Sequence, residues 1–157
     1  MAVRVFVGRP SQLTSVQAQL WQRWARLLSE RELALEYLGR DAYRDEPWRQ
    51  LRHQIAGAAG VVVLGARQLS IVDGTWRPDT AEEHDAMPHL TSAWMQIEAG
   101  LAVMAGRPVL AIAEAGVGEG VFDPRTWTGP VRGASLDHPA VDDAVGAWIA
   151  EVTAAHG

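Results

Sequence analysis

Cysteine is absent from the chain, and so is lysine. Without cysteine there are no disulfides and no thiolate chemistry, and an intracellular, cytoplasmic protein is the simplest expectation. Without lysine all 14 basic residues are arginines, set against 19 acidic ones for a net charge of −5. A coding bias toward GC-rich codons accounts for that choice of cation. Scattered arginines in an acidic chain form no basic stripe, so no nucleic-acid partner is expected. No apolar run approaches the ~18–20 residues of a membrane helix, so no membrane partner is expected either. The opening "MAVRVFVG" has no separate charged region, long apolar stretch or cleavage site, and reads as a first strand rather than a signal peptide. Repeats, low-complexity tracts and linkers are also missing. Residues 1–157 are therefore expected to form a single domain with one core.

What is present alternates. "VRVFVG" (Val3–Gly8) is β-rich and ends in the turn signal "GRP". From about Ser15 to Glu32, Val16, Leu20, Trp24, Leu27 and Leu28 recur at helical spacing. "LALEYL" (Leu33–Leu38) is a short apolar run, followed by the polar "GRDAYRDEP". A helix is predicted from Pro47, which suits a first turn, with Trp48, Leu51, Ile55 and Ala58 on one face. "GVVVLG" (Gly60–Gly65) is a continuous β-branched run, the pattern of a parallel strand covered on both faces. After a long irregular stretch come a helix around Trp94–Ala105, a strand at Val109–Ala113, another near Val131–Leu136, and a last helix at about Val141–Ala154. Alternating β and α units imply a parallel sheet with helices on both faces. The preferred architecture is an α/β, flavodoxin-like, doubly wound five-stranded sheet of order 2-1-3-4-5. Ligands bind such sheets outside the carboxyl ends of the strands, near the switch in strand order. That gathers Gly8, Arg9, Arg40, Asp41 and Gly65 around one expected cleft, with Tyr37 at its edge.

Glu98 stands out. In the helix beginning near Ser92 it lies four residues from Trp94, and Leu101, Ala102 and Ala105 continue that face. A carboxylate on such a stripe is costly unless paired or hydrogen-bonded. The helix N-terminus favours its charge by roughly 0.3–1 kcal/mol. Either it faces a cleft and stabilises positive charge on a substrate, or it forms a buried ion pair with Arg9 or Arg40. Gly100, inside the helix, costs roughly 1 kcal/mol against alanine and suggests a close backbone approach. Trp94 either stacks on a ligand or anchors the core. Arg9 either holds a phosphate or carboxylate by paired hydrogen bonds or is solvated. Of the seven tryptophans, most are expected in the core, with some left for a pocket or a homo-oligomer surface.

The pattern Ser92-x-Trp94-x-x-x-Glu98 resembles the Ser-x-Trp-Cys-x-x-Glu signature of Toll/interleukin-1 receptor (TIR) domains, with Met95 where that signature has cysteine. "IEAGLAVMAGRPVLAI" is similar to the E-x-G-x-A-x-x-x-G-K-P-V segment of nucleoside 2-deoxyribosyltransferases. "VRVFVGRP" looks like their first strand and substrate loop. Their base-holding aspartate falls near His53 here, and the acidic residue before their glutamate is replaced by Ser92. The resemblance implies cleavage of the N-glycosidic bond of a nucleotide or nucleoside, NAD among them, as substrate. Glu98 would stabilise or trap the sugar cation, Gly8, Arg9, Ser92, Trp94, Arg40, Asp41 and Gly65 would bind substrate, and no cofactor would be needed. Were a neutral base the leaving group, a proton donor such as His53, Asp41 or Asp73 would be wanted. Two rivals stand beside this reading: a non-catalytic nucleotide-binding or self-association module, and a structural domain whose Glu98 is ion-paired.

Other motifs are poorer. "GVGEG" (Gly116–Gly120) looks like a phosphate loop, but no helix is predicted after it. "EEHDAMPH" reads as a solvated loop rather than a metal site. The segment Gln68–Thr91 is longer than an ordinary connection, and is either an active-site lid or a surface excursion.

Overall fold

The computed structural model describes residues 2–39 and 41–155. Strand β1 (Val3–Gly8) pairs in parallel with β2 (Leu33–Tyr37) on one side and β3 (Gly60–Gly65) on the other. Strand β4 (Val109–Ala113) continues the sheet beyond β3, and β5 (Val131–Ser135) closes it, again in parallel. The order is 2-1-3-4-5, the predicted one. Every residue of β3 is buried, as its unbroken apolar run requires of a strand covered on both faces.

Helix α1 (Ser15–Ser29) and helix α5 (Asp143–Ala154) cover one face. Trp21, Trp24 and Leu28 from α1 and Val145, Trp148 and Val152 from α5 share a core cluster with Val5, Val62 and Leu110 of the sheet. The two fully buried indoles donate to backbone carbonyls, Trp24 to Ser135 and Trp148 to Pro108, at 3.1 Å each. Burial of their rings therefore leaves no polar atom unpaired. The one-turn helix α2 (Ala42–Asp45), α3 (Pro47–Gly57) and α4 (Ala93–Met104) follow in chain order. Leu51 and Ile55 of α3 and Met95, Ala99 and Ala102 of α4 pack on Phe6, Val61 and Val63 from the other face.

Several boundaries differ from the sequence reading for local reasons. Helix α1 stops at Ser29 because the chain turns, with Glu32 at φ 61°. Helix α5 starts at Asp143 rather than Val141, because the Asp142 side chain caps it by accepting from the Val145 N–H at 2.9 Å. The segment Gln68–Thr91 is not irregular throughout. Leu69–Ser70 pairs with His89–Leu90, and Thr75–Trp76 with His84–Asp85, both antiparallel, so the excursion runs out and back as a hairpin.

The stripe on α4 is rotated by one position. Its buried residues are Met95, Glu98, Ala99 and Ala102; Trp94 and Leu101 sit half-buried at its edge and Ala105 is exposed. Gly100 lies on the outer side with nothing within 4 Å of where a Cβ would be. The close backbone approach expected there is absent. Among the described residues, no helix is long and apolar enough to cross a membrane.

Candidate functional site

The carboxyl ends of β1 and β2 and the first turn of α4 enclose a cleft of about 550 Å³. Strand β1 delivers Val7 and the turn Arg9–Pro10–Ser11; β2 delivers Tyr37 and Leu38; Tyr43 and Arg44 come from α2; Ser92, Trp94 and Met95 come from the start of α4. A parallel sheet directs every strand's carboxyl end to the same edge, so segments far apart in sequence meet there. The Arg9 guanidinium lies over the Tyr37 ring, 5.3 Å from its centroid, an arrangement that attracts cation to ring face. Arg44 is exposed, and its nearest carboxylate among the described residues, Asp41, is 3.9 Å away, too far for a strong pair. Trp94 is flanked by Tyr43, with ring centroids 5.0 Å apart and nearly edge-on, and by Trp48, 5.5 Å apart and tilted. Ser92 occupies the N-cap position of α4 but makes no capping hydrogen bond, which leaves its hydroxyl for the cleft.

Beneath this cleft lies Glu98, with no exposed surface. Among the described residues no arginine reaches it. Its partner is Tyr43, whose hydroxyl donates to Oε1. Oε2 is buried without a hydrogen-bond partner among the described residues. The carboxylate lies directly under Gly8: a methyl group at that position would overlap Oε2. Glycine is therefore needed at the end of β1 for space, and this is the close approach that was sought at Gly100. Burial pushes the Glu98 carboxyl up to about 7, outweighing the hydrogen bond from Tyr43, which pulls the other way. The Tyr43 hydroxyl is held well above its ordinary range, first by burial and then by the neighbouring carboxylate. Glu98 thus lies buried beside Tyr43 with its carboxyl raised by burial, and it turns no exposed face toward a ligand in the cleft as the sequence suggested.

The structure brings Arg9, Ser92 and Trp94 into the cleft, with Gly8 and Glu98 as the layer below. It does not bring in Gly65, which is buried against the Phe122 ring, 2.7 Å from where its Cβ would be. Asp41 stands exposed at the α2 N-terminus, outside the lining. Arg40 lies outside the described residues. His53 is exposed on α3, and Asp73 is exposed in the excursion; neither lines the cleft. Tyr43 and Arg44 were missed. Their signal was an aromatic next to an arginine in an otherwise polar stretch just after a strand. Of the two arginines offered as ion-pair partners for Glu98, Arg9 lies over Tyr37 instead and Arg40 is outside the described residues; among the described residues it is Tyr43 that meets the carboxylate. Among the described residues no three histidine, aspartate or glutamate side chains are grouped to hold a metal.

No protein-family model matches the chain, and no curated protein does. Among solved structures it is similar to FerB, the flavoenzyme NAD(P)H:(acceptor) oxidoreductase from Paracoccus denitrificans. The TM-score is 0.38 and the identity 15%, over 73% of this chain and 62% of that one. This chain thus spans about three fifths of that protein, and a likeness so distant concerns the fold alone. That description, of a flavoenzyme and oxidoreductase, is of that protein; for this chain the expectation of N-glycosidic cleavage without a cofactor is corrected at the site itself. Glu98 has no surface with which to touch a sugar cation.

Proposed function

We propose that the cleft over β1 and β2 binds a small molecule that joins a planar ring to an anionic group, as nucleotides do. One observation carries this reading: two arginines, Arg9 and Arg44, open into the same cleft of about 550 Å³ as Tyr37, Tyr43 and Trp94. That volume is within the range of about 300–1,000 Å³ usual for small-ligand sites. Arginine offers planar, forked donors that match phosphate and carboxylate oxygens. Aromatic walls accept a ring with little loss of freedom. The N-terminus of α1, the other nearby place for a phosphate, is partly taken by the protein's own groups. Thr14 Oγ1 accepts from the Gln17 N–H at 3.1 Å, and Gln17 Oε1 accepts from the Thr14 N–H at 2.9 Å. The anionic group is therefore assigned to the arginines.

A flavin mononucleotide fits these terms, its ring system against Trp94 and Tyr37 and its phosphate on Arg9 and Arg44, and it would supply redox chemistry when bound. Adenosine monophosphate and NAD fit the same terms. Titrating the protein with each, and with the phosphate-free compounds riboflavin and adenosine, tests the reading by tryptophan fluorescence, since Trp48 and Trp94 adjoin the cleft. At least one phosphate-bearing compound is expected to bind. Arg9→Ala and Arg44→Ala should each weaken it about tenfold, the loss of one charge-assisted hydrogen bond, and leave its phosphate-free counterpart nearly unaffected. Failure of every compound to bind, or indifference to both substitutions, overturns the proposal.

A further inference from the structure

Helix α4 is apolar on nearly every side. Its 12 residues include one charged group, Glu98, and that one is buried. A helix without a polar face is normally covered all round, yet the outward side of α4 is open. Ala93, Gly100, Val103 and Met104 are exposed, and Ile97 and Leu101 are half-buried. Met104 keeps 86% of its surface. Trp48 of α3, tilted against Trp94 and 57% exposed, extends the apolar surface beside the first turn of α4. Contiguous exposed apolar surface marks a place of association. Arg107, just beyond the helix, is engaged elsewhere: its guanidinium donates to the Ala56 carbonyl at 2.6 Å.

We propose that two copies of this chain pair through α4, antiparallel, across a twofold axis between Ile97 and Gly100. The outward residues Ala93, Ile97, Gly100 and Met104 follow one another at steps of four, three and four, the spacing of one helix face. Those steps read the same in either direction. A reversed copy therefore sets Ile97 against the partner's Gly100 and Met104 against the partner's Ala93, a large side chain against a small one each time. Gly100 leaves room for this, with nothing within 4 Å of where a Cβ would be. The face carries no charge, so no like charges meet across the axis, as they would over much of a surface with a net charge of −5. Surface area agrees. The molecule exposes 9027 Å², against about 7,700 Å² for a folded monomer of this length. The surplus, shared between the hairpin and this face, is larger than the ~800 Å² that each partner buries in a standard interface.

The test is sedimentation equilibrium of the full chain from micromolar to millimolar concentration. A reversible dimer is expected. Gly100→Glu and Met104→Glu each bring a carboxylate from both copies into the seam and should weaken the dimer on the order of a hundredfold. Met87→Glu, on the hairpin where Met87 is exposed, should leave it unchanged. Both α4 positions are open in the single chain, so far-ultraviolet circular dichroism should show the fold retained; if Gly100→Glu does not fold, Met104→Glu decides. Because the chain has no cysteine, introduced cysteines report the register. Ile97→Cys mixed with Gly100→Cys should cross-link on mild oxidation, whereas Met104→Cys alone should not. A chain that stays monomeric throughout overturns the proposal and leaves the face to a different protein or to a lipid surface. So does a dimer indifferent to Gly100→Glu and Met104→Glu, a dimer lost with Met87→Glu instead, or self-linking of Met104→Cys in preference to the mixed pair.

Discussion

Glu98 owes its properties to three neighbours. Gly8 lets it come close under the first strand, Tyr43 supplies its only hydrogen bond among the described residues, and burial removes water. The consequence for stability has a definite sign. Its carboxyl is raised from an ordinary 4.5 to about 7 in the fold. Between those values the native state keeps a proton that the unfolded chain has lost, so stability falls as pH rises through that window. Above pH 7 the penalty is complete, roughly 3 kcal/mol at 1.36 kcal/mol per pH unit. Glu98→Gln removes the ionisation and keeps an oxygen for Tyr43 to bond. The variant should be more stable than the parent at pH 8 and about equal to it near pH 4.5, as read by urea unfolding at both values. Parallel pH dependence in the two proteins would show that Glu98 ionises normally.

Among the elements, α1 shows how a local signal and a distant contact combine. Its start is a capping box, Thr14 and Gln17 satisfying one another's backbone N–H groups. The same Gln17 is buried, and its Nε2 donates to Glu114 Oε2 at 2.7 Å and to the Arg67 carbonyl at 3.2 Å. The helix start is thereby tied to the carboxyl ends of β3 and β4, the edge on which the cleft opens. Thr14→Ala breaks the box and should cost about 1 kcal/mol. For a chain of this size that is a drop of about 2–4 °C in melting temperature, measurable by circular dichroism. No change would mean that the Gln17 anchor alone fixes the helix start.

For the whole molecule, the division is between a packed sheet and a hairpin laid on its edge. The strands and helices carry the two core clusters, whereas Leu69, Val72, Trp76 and Met87 of the excursion are exposed. Segments with few buried contacts open at lower free energy than the core. A glutamate-specific protease should therefore cut first after Glu82 or Glu83, both exposed near the hairpin's turn, while the far-ultraviolet spectrum is retained. First cleavage after Glu30 or Glu46, exposed beside core helices, would place the weak point elsewhere.

The sequence by itself determined the sheet. Apolar runs such as Val61–Leu64 and the helical spacing of Trp24 and Leu28 are local patterns, and the alternation of strand and helix leaves few ways to pack. Strand order, the covering of both faces and the edge at which Arg9, Ser92 and Trp94 gather were all legible from that. The phase of α4 was not. Alanine, methionine, leucine and valine surround it on nearly every side, so spacing could not say whether Trp94 or Met95 faces inward; packing against β3 chose Met95. Nor could any local pattern pair Glu98 with Tyr43, 55 residues away, or place its carboxylate under Gly8. Those contacts exist only once β1, α2 and α4 have met. They are what turned a carboxylate expected to face a cleft or an arginine into one buried against a tyrosine, its carboxyl raised by burial, because its environment rather than its residue type sets the energy of a charge.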